Sequence, residues 1–226
     1  MFSIIIAINN TPGDNRYDLL NITLAQYYRL HPNLYERFPG LELILVTMTG
    51  GSTQFRVDKI VKSDYTDSFN PAKAYNLGVE AASNENIILT CPEVFPITPV
   101  LDQFATEIGN HVIAQVFEDG DPLVNSTFRS EFPGLYFLGL LNKKDIVAIN
   151  GWDEDFMQGY GWEDTDFGER FKRAGFTYKI RDDIQAIHMK HPRLEKNWEK
   201  FQRNRALHEK NNAEGIIRPK NGLLKL

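Results

Sequence analysis

Cysteine is nearly absent from this chain of 226 residues: Cys91 stands alone. No internal disulfide can form, and that usage fits a reducing compartment. Long apolar runs are absent too. The apolar opening stretch ends at Ile8, runs straight into polar Asn9-Asn10-Thr11 and has no basic leader. It is too short to cross a bilayer and reads as a buried strand, not a signal peptide. A surplus of positive charge is missing: 25 Lys and Arg face 30 Asp and Glu, a net charge of −5, with a pI near 5.6. That balance argues against a broad grip on nucleic acid or anionic membrane. There is no internal repeat, low-complexity tract or linker. What is present, 42% hydrophobic residues at a mean hydropathy of −0.37, suffices for a packed core. The expectation is a single-domain, cytoplasmic protein with no transmembrane segment and no nucleic-acid partner.

Near-continuous apolar runs alternate with helical patterns in the first hundred residues. Phe2–Ile8, Leu41–Thr47 and Asn86–Thr90 read as strands buried on both faces. Helices are expected from about Tyr17 to Leu30 and from Pro71 to Ala82, the second with Asn70 as N-cap. Strand–helix–strand order implies an α/β fold with a mostly parallel central sheet flanked by helices. Ligands of such sheets collect at the carboxyl ends of the strands, so the loops after Ile8, Thr47 and Thr90 matter most. In the second half, His111–Phe117, Leu135–Leu141 and Tyr178–Ile187 read as strands, and Asp121–Pro133 as polar and turn-rich. Lys143–Ile149, Glu163–Ala174 and Leu194–Asn211 read as helices, followed by a loosely held tail. Residues 1–96 would form one half of the site, 97–192 the other, and 193–226 a C-terminal helix and tail. His111, inside an apolar run, reads as structural, and Arg170-Phe171-Lys172-Arg173 as a solvated helix face.

The densest chemistry lies in Asn150-Gly-Trp-Asp-Glu-Asp-Phe156 and Gly159-Tyr-Gly-Trp-Glu-Asp-Thr-Asp166. Two tryptophans and six carboxylates share a glycine-hinged loop that opens a helix. Indole faces backed by carboxylates suit a sugar, whose C–H face stacks while its hydroxyls donate. Glu163 and Asp164 would sit at the positive end of the helix dipole, which favours the ionised form a general base needs. Capping acids and a core Trp152 are the ordinary alternative for the same residues.

Asn150–Gly175 resembles the "GGxDExFxGWGxEDxDLxxRLxxxG" segment of GT-A glycosyltransferases, of the galactosyltransferase carboxyl-terminal type. β-1,4-Galactosyltransferases and bacterial chondroitin-polymerase-like enzymes carry it. Phe2–Ile8 looks like the opening strand of family-2-type transferases, Asn70–Gly78 like their "xxAxARNxGxxxA" helix, and His188-Met-Lys-His-Pro192 like their terminal histidine segment. The resemblance implies a GT-A fold, a nucleotide-sugar donor (UDP-sugar foremost), a carbohydrate acceptor and a Mn²⁺ or Mg²⁺ cofactor. Hexosyl or N-acetylhexosaminyl transfer in polysaccharide biosynthesis is the implied class.

Carried over residue by residue, the resemblance makes Asp164 the catalytic base of an inverting transfer. Trp162 would stack on the acceptor, Glu163 would orient a hydroxyl, and Asp153, Glu154 and Gly161 would brace the loop or touch a sugar. Asn9, Thr47, Lys73 and Asn76 would line the donor. The family's Asp-x-Asp metal motif reads Cys91-Pro92-Glu93 here, leaving Glu93 and His188 as expected ligands and His191 as the fallback. Cys91 is either a soft ligand or a small buried residue. The acidic "DDGS" segment is replaced by Thr47-Met-Thr-Gly-Gly-Ser52, with no carboxylate. Those two departures keep a second reading open, a catalytically reduced carbohydrate-binding or assembly module. A nucleotidyltransferase is a third, poorly served by the loop after Ile8.

Overall fold

The computed structural model describes residues 1–9, 15–48, 52–63, 71–125, 138–192 and 197–224, with residues 121–125 described by backbone alone. The expected N-cap Asn70, the loop residues Thr49, Gly50 and Gly51, and the start of the strand expected from Leu135 lie outside these. Nine strands form one sheet in the order β3-β2-β1-β4-β8-β6-β9-β5, with β7 paired to β6. β1 (Phe2–Ile8), β2 (Glu42–Thr47), β3 (Lys59–Lys62) and β4 (Asn86–Thr90) run parallel, as their apolar runs imply. Every residue of β1 is buried, because helices cover both faces of this half.

α1 (Arg16–Leu30), the short α2 (Leu34–Arg37) and α3 (Pro71–Ala81) supply the cover. α3 lies unusually close to the sheet: a Cβ at Gly78 would overlap the Ile5 side chain. Only glycine fits there.

Past β4 the sheet turns mixed. β5 (Val94–Pro96) leads into α4 (Val100–Ala105), then β6 (Val112–Glu118) and β7 (Asp121–Asn125). β8 (Leu138–Asn142) inserts antiparallel between β4 and β6, whereas β9 (Lys179–His188) runs parallel to β6 and antiparallel to β5. Six of the nine strands share one direction. α5 (Lys143–Ala148), a 3-10 turn (Glu154–Gln158), α6 (Glu163–Arg173) and α7 (Trp198–Ala213) complete the order. β3, β5 and β7 are absent from the sequence reading. β3 is an edge strand whose side chains alternate in exposure, and β5 is three residues long, so neither shows an apolar run. β7 corrects the turn-rich reading at Asp121–Asn125.

The C-terminal tail is a second correction. It is strapped down, not loose: the Asn150 side-chain amide donates to the Pro219 and Leu224 carbonyls, and its oxygen accepts from Leu224 N–H. Leu223 N–H reaches the Asn150 carbonyl and Glu154 N–H the Asn221 carbonyl. Leu223 also packs against the core, so polar and apolar contacts hold the tail together.

Candidate active site

Strand register brings the candidate metal ligands together. Val94 of β5 pairs with His188 of β9, and His188 pairs on its other side with Glu118 of β6. Glu93, one residue before β5, therefore meets His188, and the turn after β9 adds His191. Ligand atoms of Glu93, His188 and His191 all lie within 4.8 Å of one another. Glu93 Oε1 is 3.8 Å from His188 Nε2 and 3.7 Å from His191 Nε2. His188 Nδ1 lies 3.3 Å from Glu118 Oε2. The contact to Glu118 orients the ring so that Nε2 faces Glu93.

Burial alone would push the Glu93 carboxyl up. Hydrogen bonding from His188 and the charges of Arg16 and His191 outweigh it, and the group sits below the ordinary carboxylate range. Burial also lowers His191, favouring the neutral imidazole a metal requires. Glu93 Oε2 is buried with no hydrogen-bond partner among the described residues. A carboxylate with one unpartnered oxygen beside two imidazoles is a mixed oxygen–nitrogen donor set that fits a first-row divalent ion such as Mn²⁺ better than Mg²⁺, which prefers oxygen ligands. Cys91 does not join it: burial pushes its thiol up, and its sulfur lies 3.5 Å from the Tyr75 hydroxyl.

Arg16 was invisible as a site residue, since nothing in its neighbourhood forms a motif. It starts α1, which is fixed along the 92–96 segment by Thr23 Oγ1 donating to the Pro92 carbonyl and Gln26 Nε2 to that of Pro96. Its guanidinium reaches Glu93 Oε1 at 2.7 Å and His191 Nδ1 at 3.0 Å. His191 Nδ1 is also 2.8 Å from the Pro192 carbonyl, so two ring tautomers compete there. Glu118 was missed for another reason: only the β6–β9 register makes it a neighbour of His188. Glu118→Gln is expected to weaken Mn²⁺ binding about tenfold by loosening that ring, as read by Mn²⁺ titration. An unchanged affinity would remove Glu118 from the site.

The expected donor residues separate into two groups. Asn9 and Thr47 follow or end β1 and β2, whose register sets Ile8 opposite Thr47, at the carboxyl edge. Thr47 Oγ1 lies 3.2 Å from the Tyr17 hydroxyl. Lys73 is half-buried in the first turn of α3. Asn76, however, is buried and committed to the loop: its amide donates to the Trp152 carbonyl and Glu154 Oε1, and its oxygen accepts from Trp152 N–H.

The acidic loop likewise divides. Trp152 is core, fully buried and stacked on Phe167 with ring centroids 3.9 Å apart. Asp153 is buried, caps the 3-10 turn through Asp155 N–H and accepts from Asn211, and burial pushes its carboxyl up. Arg170 corrects the solvated-face reading: it is fully buried and paired with Asp166 at 2.6 Å. Trp162 has φ of +73°, a left-handed conformation rare for a bulky residue, immediately after Gly161 at +68°. Its ring stacks on His208 with centroids 5.0 Å apart and tilts against Phe201 at 5.7 Å. Such strain persists where surroundings over-determine it, commonly at ligand sites. Here Asn204 does so, donating to the Phe156 and Gly161 carbonyls. Glu163 is buried and Asp164 half-buried, the first two residues of α6.

Residues 126–192 match the family model described as the N-terminal domain of galactosyltransferase. S. aureus TarS superposes on 93% of the chain with a TM-score of 0.61 at 13% identity. The chain has the fold of the GT-A glycosyltransferases. This GT-A chain also superposes over 97% of its length on the mannosyltransferase PcManGT from Pyrobaculum calidifontis, solved with GDP-Man and Mn²⁺ (TM-score 0.59, 12% identity, 65% of that chain). A further GT-A neighbour is S. aureus TarS 1–349 in complex with UDP-GlcNAc, with a TM-score of 0.58 at 11% identity, covering 85% of this chain and 59% of that one. In sequence the present chain is 38% identical over 52 residues, 23% of its length, to the uncharacterized glycosyltransferase YfnE of Bacillus subtilis. The GT-A chain spans 13% of that relative and 39% of TarS. No helix among the described residues is long and apolar enough to cross a membrane.

Proposed function

We propose that the chain is an inverting, metal-dependent glycosyltransferase that moves a sugar from a nucleotide-diphosphate donor, a UDP-sugar foremost, to a hydroxyl of a glycan acceptor. The convergence of Glu93, His188 and His191 beside the carboxyl edge of a GT-A sheet carries this reading. A divalent ion held there supplies Lewis-acid stabilisation of the departing diphosphate. Asp164, in the first turn of α6, takes the acceptor proton as the hydroxyl oxygen bonds to the anomeric carbon. The bond from that carbon to the diphosphate oxygen breaks, and its electron pair leaves with the nucleotide. Trp162 presents its ring to the acceptor, while Glu163 orients a hydroxyl and Glu154 holds the loop through Asn76. Asn9, Thr47 and Lys73 serve the donor. The mannosyltransferase neighbour, solved with GDP-Man and Mn²⁺, and the TarS complex with UDP-GlcNAc make two nucleotides worth testing.

The test is a thermal-shift panel of UDP, GDP, CMP and dTDP, each with and without Mn²⁺. One nucleotide is expected to raise the Tm in the presence of metal, by about 2.7 kcal/mol of linkage at a hundredfold excess over Kd. Glu93→Gln should lose that metal-dependent part. A metal-dependent shift that survives in Glu93→Gln would move the ion elsewhere. No shift with any nucleotide would favour the non-catalytic module, which the buried, unionised Cys91 at the Asp-x-Asp position also favours.

A further inference from the structure

We infer that Arg16 is the resident counter-cation of the Glu93–His188–His191 group, and that a divalent ion enters only by displacing it. The inference rests on the metal reading of those three residues. Arg16 occupies the carboxylate oxygen that both imidazole Nε2 atoms face: it donates to Glu93 Oε1 at 2.7 Å and lies 3.0 Å from His191 Nδ1, on the other side of that ring. A carboxylate as buried as Glu93, at 6% exposure, requires a positive partner nearby. The guanidinium provides one in the absence of metal. An ion held between the two Nε2 atoms and Glu93 Oε1 would share that oxygen with the guanidinium and lie within a few ångströms of a like charge, which disfavours both being bound at once.

The side chain is able to leave. Arg16 is the first residue of α1, its side chain is 19% exposed, and its helix is fixed further along by Thr23 and Gln26. Exchange therefore costs no rearrangement of the α1 axis. The consequence is a linkage: metal alone binds against Arg16, whereas a ligand bringing negative charge would receive the freed guanidinium and relieve the competition. Arg16 then sets how strongly the site discriminates between a bare ion and an ion accompanied by a diphosphate.

Mn²⁺ affinity, read from the electron paramagnetic resonance signal of the free ion, and Tm would be measured together on the full chain and on Arg16→Gln, Arg16→Lys and Glu93→Gln. Without metal, Arg16→Gln should have the lower Tm, since Glu93 loses its cation. It should also bind Mn²⁺ about tenfold more tightly than wild type and recover its Tm when the ion is added. A merely structural arginine would give the Tm loss without tighter binding or recovery. Equal or weaker Mn²⁺ binding by Arg16→Gln, with binding lost in Glu93→Gln, overturns the exchange and leaves the metal site standing. If Glu93→Gln binds Mn²⁺ as wild type does, the metal reading falls and takes the inference with it. Should Arg16→Gln not fold, Arg16→Lys decides: one ammonium cannot span both ligands, so tighter binding supports the exchange and equal or weaker binding overturns it.

Discussion

Asp164→Asn is expected to abolish sugar transfer, lowering turnover by on the order of 10²–10⁴-fold, while the protein stays folded and keeps its nucleotide. The geometry separates these effects. Asp164 Oδ1 accepts Thr165 N–H at 2.7 Å, a contact the Asn carbonyl oxygen can keep, and the side chain is half-buried. What the amide cannot do is take a proton from an acceptor hydroxyl. Loss of one negative charge from the first turn of α6 costs about 0.3–1 kcal/mol through the helix dipole, a small Tm change. Turnover with the donor and acceptor that the nucleotide panel leads to, measured at saturation beside Tm and nucleotide shift, tests this. Normal turnover in Asp164→Asn would remove it as the base. A Tm collapse would instead mean that its contact to Thr165 N–H matters more than its proton affinity.

The parallel half of the sheet was legible because its strands are apolar on both faces: Phe2–Ile8 and Asn86–Thr90 have the same limits in sequence and structure. Edge strands such as Lys59–Lys62 were not legible, since a half-solvated strand carries no continuous signal. The site divides in the same way. Glu93 and His188 could be named from the order of motifs, and register then placed them together. Arg16 and Glu118 reach that cluster from a helix start and a strand end far away in sequence, and no local pattern encodes such proximity. The richest motif left its details open. Of the aromatics and acids in the loop, Trp152, Asp153 and Asp166 are buried among protein partners, whereas Trp162 and Asp164 keep partial exposure. Residue type alone does not distinguish a carboxylate that organises a loop from one that meets a sugar.

Arg170→Met should destabilise the fold by about 3–5 kcal/mol, the range for breaking one side of a buried ion pair. Arg170 and Asp166 are both wholly buried, with Nε to Oδ2 at 2.6 Å. Arg170 Nη1 also donates to the Ile149 carbonyl at 3.0 Å and the Ile217 carbonyl at 3.4 Å, and so joins α6 to the loop and to the C-terminal strap. The Asn211 amide bridges Asp153 and Asp166 at 3.1 Å each. Methionine fills much of the volume but leaves a buried carboxylate facing one amide and two carbonyls without their donor. For a chain of this size the loss corresponds to a Tm fall of roughly 10 °C, measurable by calorimetry or urea unfolding. Converting the pair to Asp166→Leu with Arg170→Met removes the stranded charge, yet recovery should be partial, because both carbonyls and the Asn211 amide remain unsatisfied. A double variant as stable as wild type would show that apolar packing, not this network, holds the strap. If recovery is partial, the tail that closes over Asn150 is held by the same arginine that looked like a surface residue in the sequence. Much of the densest motif of the chain would then serve to hold the loop that presents Trp162 and Asp164.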